Sequence, residues 1–255
     1  MIPKIIHYCW LSGEPFPSNI ENYINSWKNK FPDFEFKLWD KSAFDINSVP
    51  FVEQACSVKK WAFAADYIRL YALYNYGGIY LDVDVEVLKS FDEFLDYDFF
   101  TSMEYHYNDA LRLKTFDLIN LDGSSKVPHT PKPGICLQAA VMGSCPKHPF
   151  VKQCLDFYNR QDFILPDGSL FNKTIAPDIL AMNAEDYGLK FLDKEQNLSN
   201  NMHILPSWYF AGCEAEIKNG CYAIHHCAGS WREKEKITKR ILKKIYRLLK
   251  HVIKF

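Results

Sequence analysis

The 255-residue chain has no C-x-x-C pair: Cys9, Cys56, Cys136, Cys145, Cys154, Cys213, Cys221 and Cys227 stand apart from one another. A zinc ribbon is therefore not expected. The chain also has no G-x-x-x-x-G-K-[ST] loop, no G-x-G-x-x-G and no G-x-S-x-G, so kinase, dehydrogenase and serine-hydrolase readings find no support. No uncharged stretch is long enough to cross a bilayer. The opening Met1-Ile2-Pro3-Lys4-Ile5-Ile6-His7-Tyr8 lacks the apolar region of a signal peptide. These absences together predict a cytoplasmic chain with free thiols. There is no internal repeat, and 11 Gly and 13 Pro exclude a fibrous or low-complexity chain.

What is present is globular: 48% hydrophobic, 24% charged and 16% aromatic residues. A chain of this length buries roughly 75% of its unfolded surface and needs no cross-link to fold. Aromatic residues at that level serve core packing or provide stacking platforms for rings and sugars. The formal net charge of -1 conceals an asymmetry. Residues 232–255 hold ten Lys or Arg against two Glu, leaving residues 1–231 with 20 basic and 29 acidic groups. So acidic a body is a poor generic nucleic-acid binder, and no nucleic-acid partner is expected. The expected division is a catalytic body at 1–231 and a basic amphipathic helix at 232–255. In that tail Ile237, Ile241, Ile245, Leu248 and Val252 form an apolar stripe with Lys and Arg opposite, the pattern of a helix lying on an anionic membrane. The plainer alternative is a helix docked on the body with a solvated basic face.

Along the body, Ile2 to Trp10 reads as a buried strand and Ser18 to about Phe31 as a helix stopped by Pro32. Phe34 to Trp39 alternates as a strand does. Trp61 to Tyr76 reads as a helix closed by Gly77-Gly78, with Ile79 to Val85 following at once as a strand. This order predicts an α/β fold with a mostly parallel central sheet flanked by helices. Asp98 to Met103 and Ile135 to Gly143 read as strands, Phe150 to Arg160 and Ile175 to Tyr187 as helices, and Tyr222 to Cys227 as a late strand. Residues 104–134, with Asp122-Gly123-Ser124-Ser125 and three prolines, read as a mobile surface segment.

The chemistry concentrates between Trp61 and Val85. Asp82 and Asp84, two apart on a strand, point to one side, and at the carboxyl end of a strand they favour a hard divalent cation. Their neighbours Ile79, Tyr80, Leu81, Val83 and Val85 are apolar, so burying two anions there without a cation or donors is costly. A bare Asp-x-Asp is weak evidence, since Asp96-Tyr97-Asp98 repeats the pattern and reads as a surface turn. Asp66 and Arg69 share a helix face and can pair. Because Gly77-Gly78 turns the chain back so tightly, they run beside the Asp82 strand, where Arg69 can meet phosphate and Asp66 can accept from sugar hydroxyls.

The segment Ala65-Asp66-Tyr67-Ile68-Arg69 through Asp84 resembles the DXD-containing sugar-binding region of family 32 glycosyltransferases. That group includes yeast mannosyltransferases, bacterial capsular-polysaccharide transferases and, more distantly, the large clostridial glucosylating toxins. The opening Ile2 to Trp10 is similar to the first strand of that family. Gln138-Ala139-Ala140, His148-Pro149-Phe150 and the closing Ala223 to Trp231 also follow its pattern, so the blocks cover most of residues 1–231 in order. The resemblance implies a GT-A fold, a nucleotide-sugar donor with UDP favoured, Mn2+ or Mg2+, and retention of anomeric configuration. The transferred group is a hexose or N-acetylhexosamine. The expected acceptor is a saccharide or glycolipid in surface polysaccharide synthesis; the basic tail fits a lipid-linked acceptor and a peripheral place on the inner face of the cell membrane.

By the same resemblance, Asp84 is a metal ligand, Asp82 bridges metal and ribose, and His225 (with His226 as the alternative) is the third protein ligand. Asp66 and Arg69 contact the donor sugar and its phosphate side. Trp10 stacks near the nucleobase, and Tyr80, Gln138, Ser230 and Trp231 line the donor site. Asp178 falls on the sugar or acceptor side, or else is simply an acid favoured in a helix first turn. The chain departs from the family pattern at Gln138, where Asn is frequent, and at Ile175-Ala176-Pro177, where Thr-Gly-Pro is frequent.

Two other classes fit parts of the pattern. Leu81-Asp82-Val83-Asp84 looks superficially like the nucleophile strand of haloacid-dehalogenase phosphohydrolases, but Gly-Thr is wanted where Val85-Glu86 stands. A non-catalytic carbohydrate-binding protein on the same fold is the other.

Overall fold

The computed structural model describes residues 1–212 and 217–227. Ser230, Trp231, Cys213 and the basic tail at 232–255 lie outside the described residues.

The elements follow in the order β1 (Ile5–Cys9), α1 (Ser18–Lys30), β2 (Glu35–Trp39), α2 (Pro50–Ser57), α3 (Trp61–Tyr76), β3 (Gly78–Leu81) and β4 (Val85–Val87). Then come β5 (Phe99–Tyr105), α4 (Tyr107–Arg112), β6 (Ile135–Leu137), β7 (Val141–Ser144), α5 (Pro149–Asn159) and α6 (Ala176–Ala184). β8 (Gln196–Leu198), β9 (Met202–Leu205), β10 (Phe210–Ala211) and β11 (Ala223–His225) close the described chain.

The central sheet runs β2-β1-β3-β7-β5-β9-β8, with β6 pairing beside β5. The β1–β2, β1–β3 and β5–β9 pairs are parallel, whereas β7 is antiparallel to both β3 and β5, and β8 is antiparallel to β9. The fold is thus α/β with a central sheet flanked by helices, as expected: β2, β1, β3, β5 and β9 run one way, and β6, β7 and β8 run against them. A reversed strand, β7, sits at its centre and joins two parallel groups. A second sheet, β10-β11-β4, packs at one side.

Side chains alternate across the central sheet as the pleat requires. Tyr80, Phe99, Met103 and Met142 face a core built with α2, α3, α5 and α6. Ile6, Ile79, Leu81, Phe100 and Val141 face a second core shared with α1, Phe91, Phe94 and Phe210. Most of the chain's aromatic residues are used here, as core.

Three predicted elements differ from the outcome. The single strand expected over Ile79 to Val85 breaks after Leu81, and Val85 restarts as β4 in the other sheet. The strand expected over Ile135 to Gly143 is likewise two, β6 and β7. The segment 104–134, expected to be mobile, holds α4, a 3-10 turn at Thr115–Leu118 and a bridge between Ile119 and Ser125. Polar composition had suggested a loop there, but Ala110 and Thr115 are buried and supply the packing.

Candidate functional site

α3 and its exit place the site. The helix is buried around most of its circumference, including Asp66 and Arg69. It ends at Gly77, whose amide donates to the Leu73 carbonyl at 2.9 Å. Gly77 and Gly78 have φ of 65° and 100°, and a Cβ on Gly78 would lie 2.6 Å from the Ile5 carbonyl. Only glycine makes that turn, which lays β3 against β1 and returns the chain beside α3.

At the carboxyl end of β3 the backbone turns sharply. The Asp82 amide donates to the Ala140 carbonyl at 2.9 Å, the Val85 amide to the Asp82 carbonyl at 3.0 Å, and the His226 amide to the Asp84 carbonyl at 3.0 Å. Asp82 and Asp84 therefore converge through a tethered turn between two sheets, not along one continuous strand. Trp27 steadies the far side by donating its indole N–H to the Val85 carbonyl at 2.8 Å.

β11 pairs antiparallel with β4, setting His225 opposite Val85. Its Nε2 lies 3.3 Å from Asp84 Oδ1, and its Nδ1 lies 3.5 Å from Cys227 Sγ. One ligand atom each from Asp82, Asp84 and His225 falls within 4.8 Å of the other two. His226 alternates away: its Nε2 meets Glu86 Oε2 at 3.0 Å, and its ring stacks on Tyr23. Two carboxylate oxygens and one imidazole nitrogen suit a divalent ion such as Mn2+ or Mg2+. Burial alone would lower the pKa of His225, but hydrogen bonds to Asp84 and Cys227 and the charges of Asp84 and Asp82 outweigh it and raise it well above the usual value. An imidazolium therefore partly balances the carboxylates, and a bound cation would displace its proton.

Behind the turn lies a buried charge group. Arg69 Nη2 is 2.8 Å from Asp66 Oδ1 and 3.3 Å from Asp82 Oδ1, and Nη1 donates to the Ala139 carbonyl at 2.6 Å. The guanidinium stacks over the Tyr80 ring, whose hydroxyl donates to Asp82 Oδ1 at 2.9 Å. Burial pushes the Asp66 carboxyl up to about 7, against the pull of Arg69 and with the push of Asp82.

Several expected contacts take another form. Arg69, 5% exposed, is engaged by two carboxylates and a carbonyl, so it orients Asp82 and Asp66 instead of standing open to phosphate. Tyr80, 1% exposed, reaches the site only through Asp82. Gln138 is buried and its Oε1 accepts from the Ala140 amide at 3.0 Å, bracing its own turn. Asp178 accepts from the Ile175 amide at 3.3 Å and caps α6, the plainer of its two readings. Trp10 remains partly exposed, its indole N–H held by the Glu14 carbonyl at 2.6 Å and its ring against Phe16. The carbonyls of Ala139 and Ala140 hold Arg69 and Asp82, a role invisible in sequence because backbone atoms perform it.

Residues 17–101 match the family model described as the glycosyltransferase sugar-binding region containing DXD motif. Asp66, Arg69, Asp82 and Asp84 lie within the match; Trp10, Gln138, Asp178 and His225 lie outside it. An uncharacterized glycosyltransferase of Acanthamoeba polyphaga mimivirus is 26% identical over 253 residues, covering 94% of this chain and 87% of the relative. Inositol phosphoceramide mannosyltransferase 3 of Schizosaccharomyces pombe is 39% identical over 100 residues, 38% of this chain. The chain spans only 28% of the length of that relative. Among solved structures, the PaToxG glycosyltransferase aligns with a TM-score of 0.49 at 17% identity, covering 72% of this chain and 69% of that one.

Proposed function

We propose that this chain, whose residues 17–101 match the glycosyltransferase sugar-binding region containing DXD motif, is a metal-dependent, retaining glycosyltransferase of the GT-A type. It moves a hexosyl unit from a nucleotide sugar to a saccharide acceptor. The observation that carries this reading is the convergence of Asp82, Asp84 and His225 at the carboxyl edge of the sheet, with Arg69 and Asp66 directly behind.

Asp82, Asp84 and His225 would hold a divalent cation, which when bound would supply positive charge for a diphosphate leaving group. The residues do the rest. Arg69 and Tyr80 fix the rotamer of Asp82, so the ligand set is preorganised. Asp66, held through Oδ1 by Arg69, presents a carboxylate to sugar hydroxyls. Trp10, fixed at its indole N–H, offers a ring for a nucleobase. With Asp66 ion-paired and Asp82 and Asp84 in the cation site, retention needs no covalent intermediate: the acceptor hydroxyl attacks the anomeric carbon on the face from which the diphosphate leaves, the anomeric C–O bond to the diphosphate breaks, and the departing diphosphate takes the hydroxyl proton.

The family resemblance favours a UDP-sugar, while the names of several relatives specify mannosyl transfer, to inositol phosphoceramide in three of them. A lipid-linked acceptor, as in surface polysaccharide synthesis, fits the basic stripe of residues 232–255, and we place the enzyme peripherally on the cytoplasmic face of the membrane. Thermal-shift measurements with UDP, GDP and their sugars, with and without Mn2+, test the reading. One nucleotide should stabilise the protein only when Mn2+ is present, and Asp84→Ala should lose both that shift and transfer. An Asp84→Ala protein that transfers sugar as the parent does would refute the assignment. Removal of residues 232–255 should abolish sedimentation with anionic vesicles; continued binding would show that the anchor lies elsewhere.

A further inference from the structure

His225 is held from both sides of its ring. Nε2 points to Asp84 Oδ1 at 3.3 Å, while Nδ1, on the opposite side, lies 3.5 Å from Cys227 Sγ. The same sulfur reaches the Gly212 carbonyl at 3.4 Å. Among the described residues the metal-ligating cluster consists of Asp82, Asp84 and His225, so Cys227 stands behind a ligand and not within the set.

The local chain brings the sulfur there. β11 ends at His225, the His226 amide is tied to the Asp84 carbonyl at 3.0 Å, and Cys227 follows with φ of 46°. A residue with a Cβ seldom adopts that left-handed backbone. Here it accompanies the return of the Cys227 side chain to the ring two residues before it.

The hydrogens then sort themselves. A thiol has one hydrogen to donate, and a carbonyl can only accept. The S–H therefore goes to Gly212, and in the Nδ1 contact the sulfur accepts. An accepting sulfur requires a hydrogen on Nδ1. The lone pair that a divalent ion needs is then the one on Nε2, the nitrogen facing Asp84. A histidine that ligates through one nitrogen is commonly held through the other. Arg69 and Tyr80 orient Asp82 in this manner, and Cys227 is the corresponding group for His225.

Resting on the cation reading above, we propose that Cys227 is a positioning residue of the metal site. Its sulfur, anchored on the Gly212 carbonyl, accepts the Nδ1–H of His225 and keeps Nε2 turned towards the ion. Cys227 does not itself ligate the ion.

Titration calorimetry with Mn2+ on the full chain tests this in the parent, Cys227→Ala and Cys227→Ser. Both variants keep a Cβ, so the left-handed backbone is equally strained in each and only the group beside the ring changes. Cys227→Ala should bind Mn2+ about ten- to a hundredfold more weakly than the parent. Cys227→Ser should lose less than about threefold, because a hydroxyl also donates one hydrogen and accepts another. Nuclear magnetic resonance of the Mg2+-loaded proteins gives a second readout. The His225 Nδ1–H should be sheltered from exchange with water in the parent and in Cys227→Ser, and should exchange fast in Cys227→Ala. Melting temperatures of the metal-free proteins should agree, since Cys227 is exposed. Equal affinity in the parent and Cys227→Ala overturns the assignment. So does an equal loss in both variants, which would put the sulfur on the ion itself, or a loss that follows a lower melting temperature. In each of these cases the cation site stands. A parent that binds no Mn2+ overturns both.

Discussion

At Arg69 one guanidinium meets Asp66, Asp82 and the Ala139 carbonyl while 5% exposed. Removing one partner of a buried pair leaves the other charge uncompensated, so the cost exceeds what the pair contributes. Arg69→Met should lower stability by about 3–5 kcal/mol, read as a shifted urea midpoint at unchanged slope. Tyr80→Phe is a subtler change. It removes only the hydroxyl that donates to Asp82 Oδ1, so unfolding should move by about 1 kcal/mol. The same change should weaken Mn2+ binding about tenfold, because groups that orient a ligating carboxylate tune its affinity. Calorimetric titration with Mn2+ checks it; unaltered affinity would mean that Asp82 is oriented by Arg69 alone. Asp66, Arg69, Asp82 and Asp84 were legible as residues because they crowd one short stretch. Their division of labour was not, since exposure decides whether an arginine meets a phosphate or holds a neighbour.

Among the elements, the tight passage from α3 to β3 governs where the carboxylates land. Gly78→Ala would force a side chain into the left-handed region and against the Ile5 carbonyl. It should cost about 2–4 kcal/mol, seen as a melting temperature lower by roughly 5–15 °C. Manganese affinity should fall with it, since β3 cannot keep its register on β1. The helix and its glycine stop are read from sequence because apolar spacing and a Gly-Gly pair act within a few residues. The break after Leu81 is not. Leu81 to Val85 alternates well enough for one strand, and only pairing of Val85 to Val87 with β11 divides it between two sheets.

For the molecule as a whole, His7 is the internal pH gauge. It is fully buried, receives the Trp39 indole N–H on Nδ1 at 3.1 Å, and so donates from Nε2 to the Gly77 carbonyl at 2.7 Å. Burial lowers it to about 4 from the usual 6.5, despite the Gly77 carbonyl. A depressed histidine binds its proton more readily in the unfolded chain. Its contribution is therefore full above pH 6.5 and is lost as pH falls towards 4, a change of about 3 kcal/mol over that window. Urea unfolding at stepped pH should show this decline, and His7→Gln should flatten it. An identical slope in both proteins would assign the acid sensitivity to other groups.

The chemical character of the chain could be read from its order alone: the α/β class, the acidic body with its basic end, and the clustered aspartates. Each of these depends on composition or on neighbours a few residues apart. The fold alone brings His225 to Asp84, turns His226 towards Glu86 and reverses β7 within the sheet. Those outcomes rest on contacts between segments far apart along the chain, where pairing register and packing volume choose the partner and no local pattern records the choice.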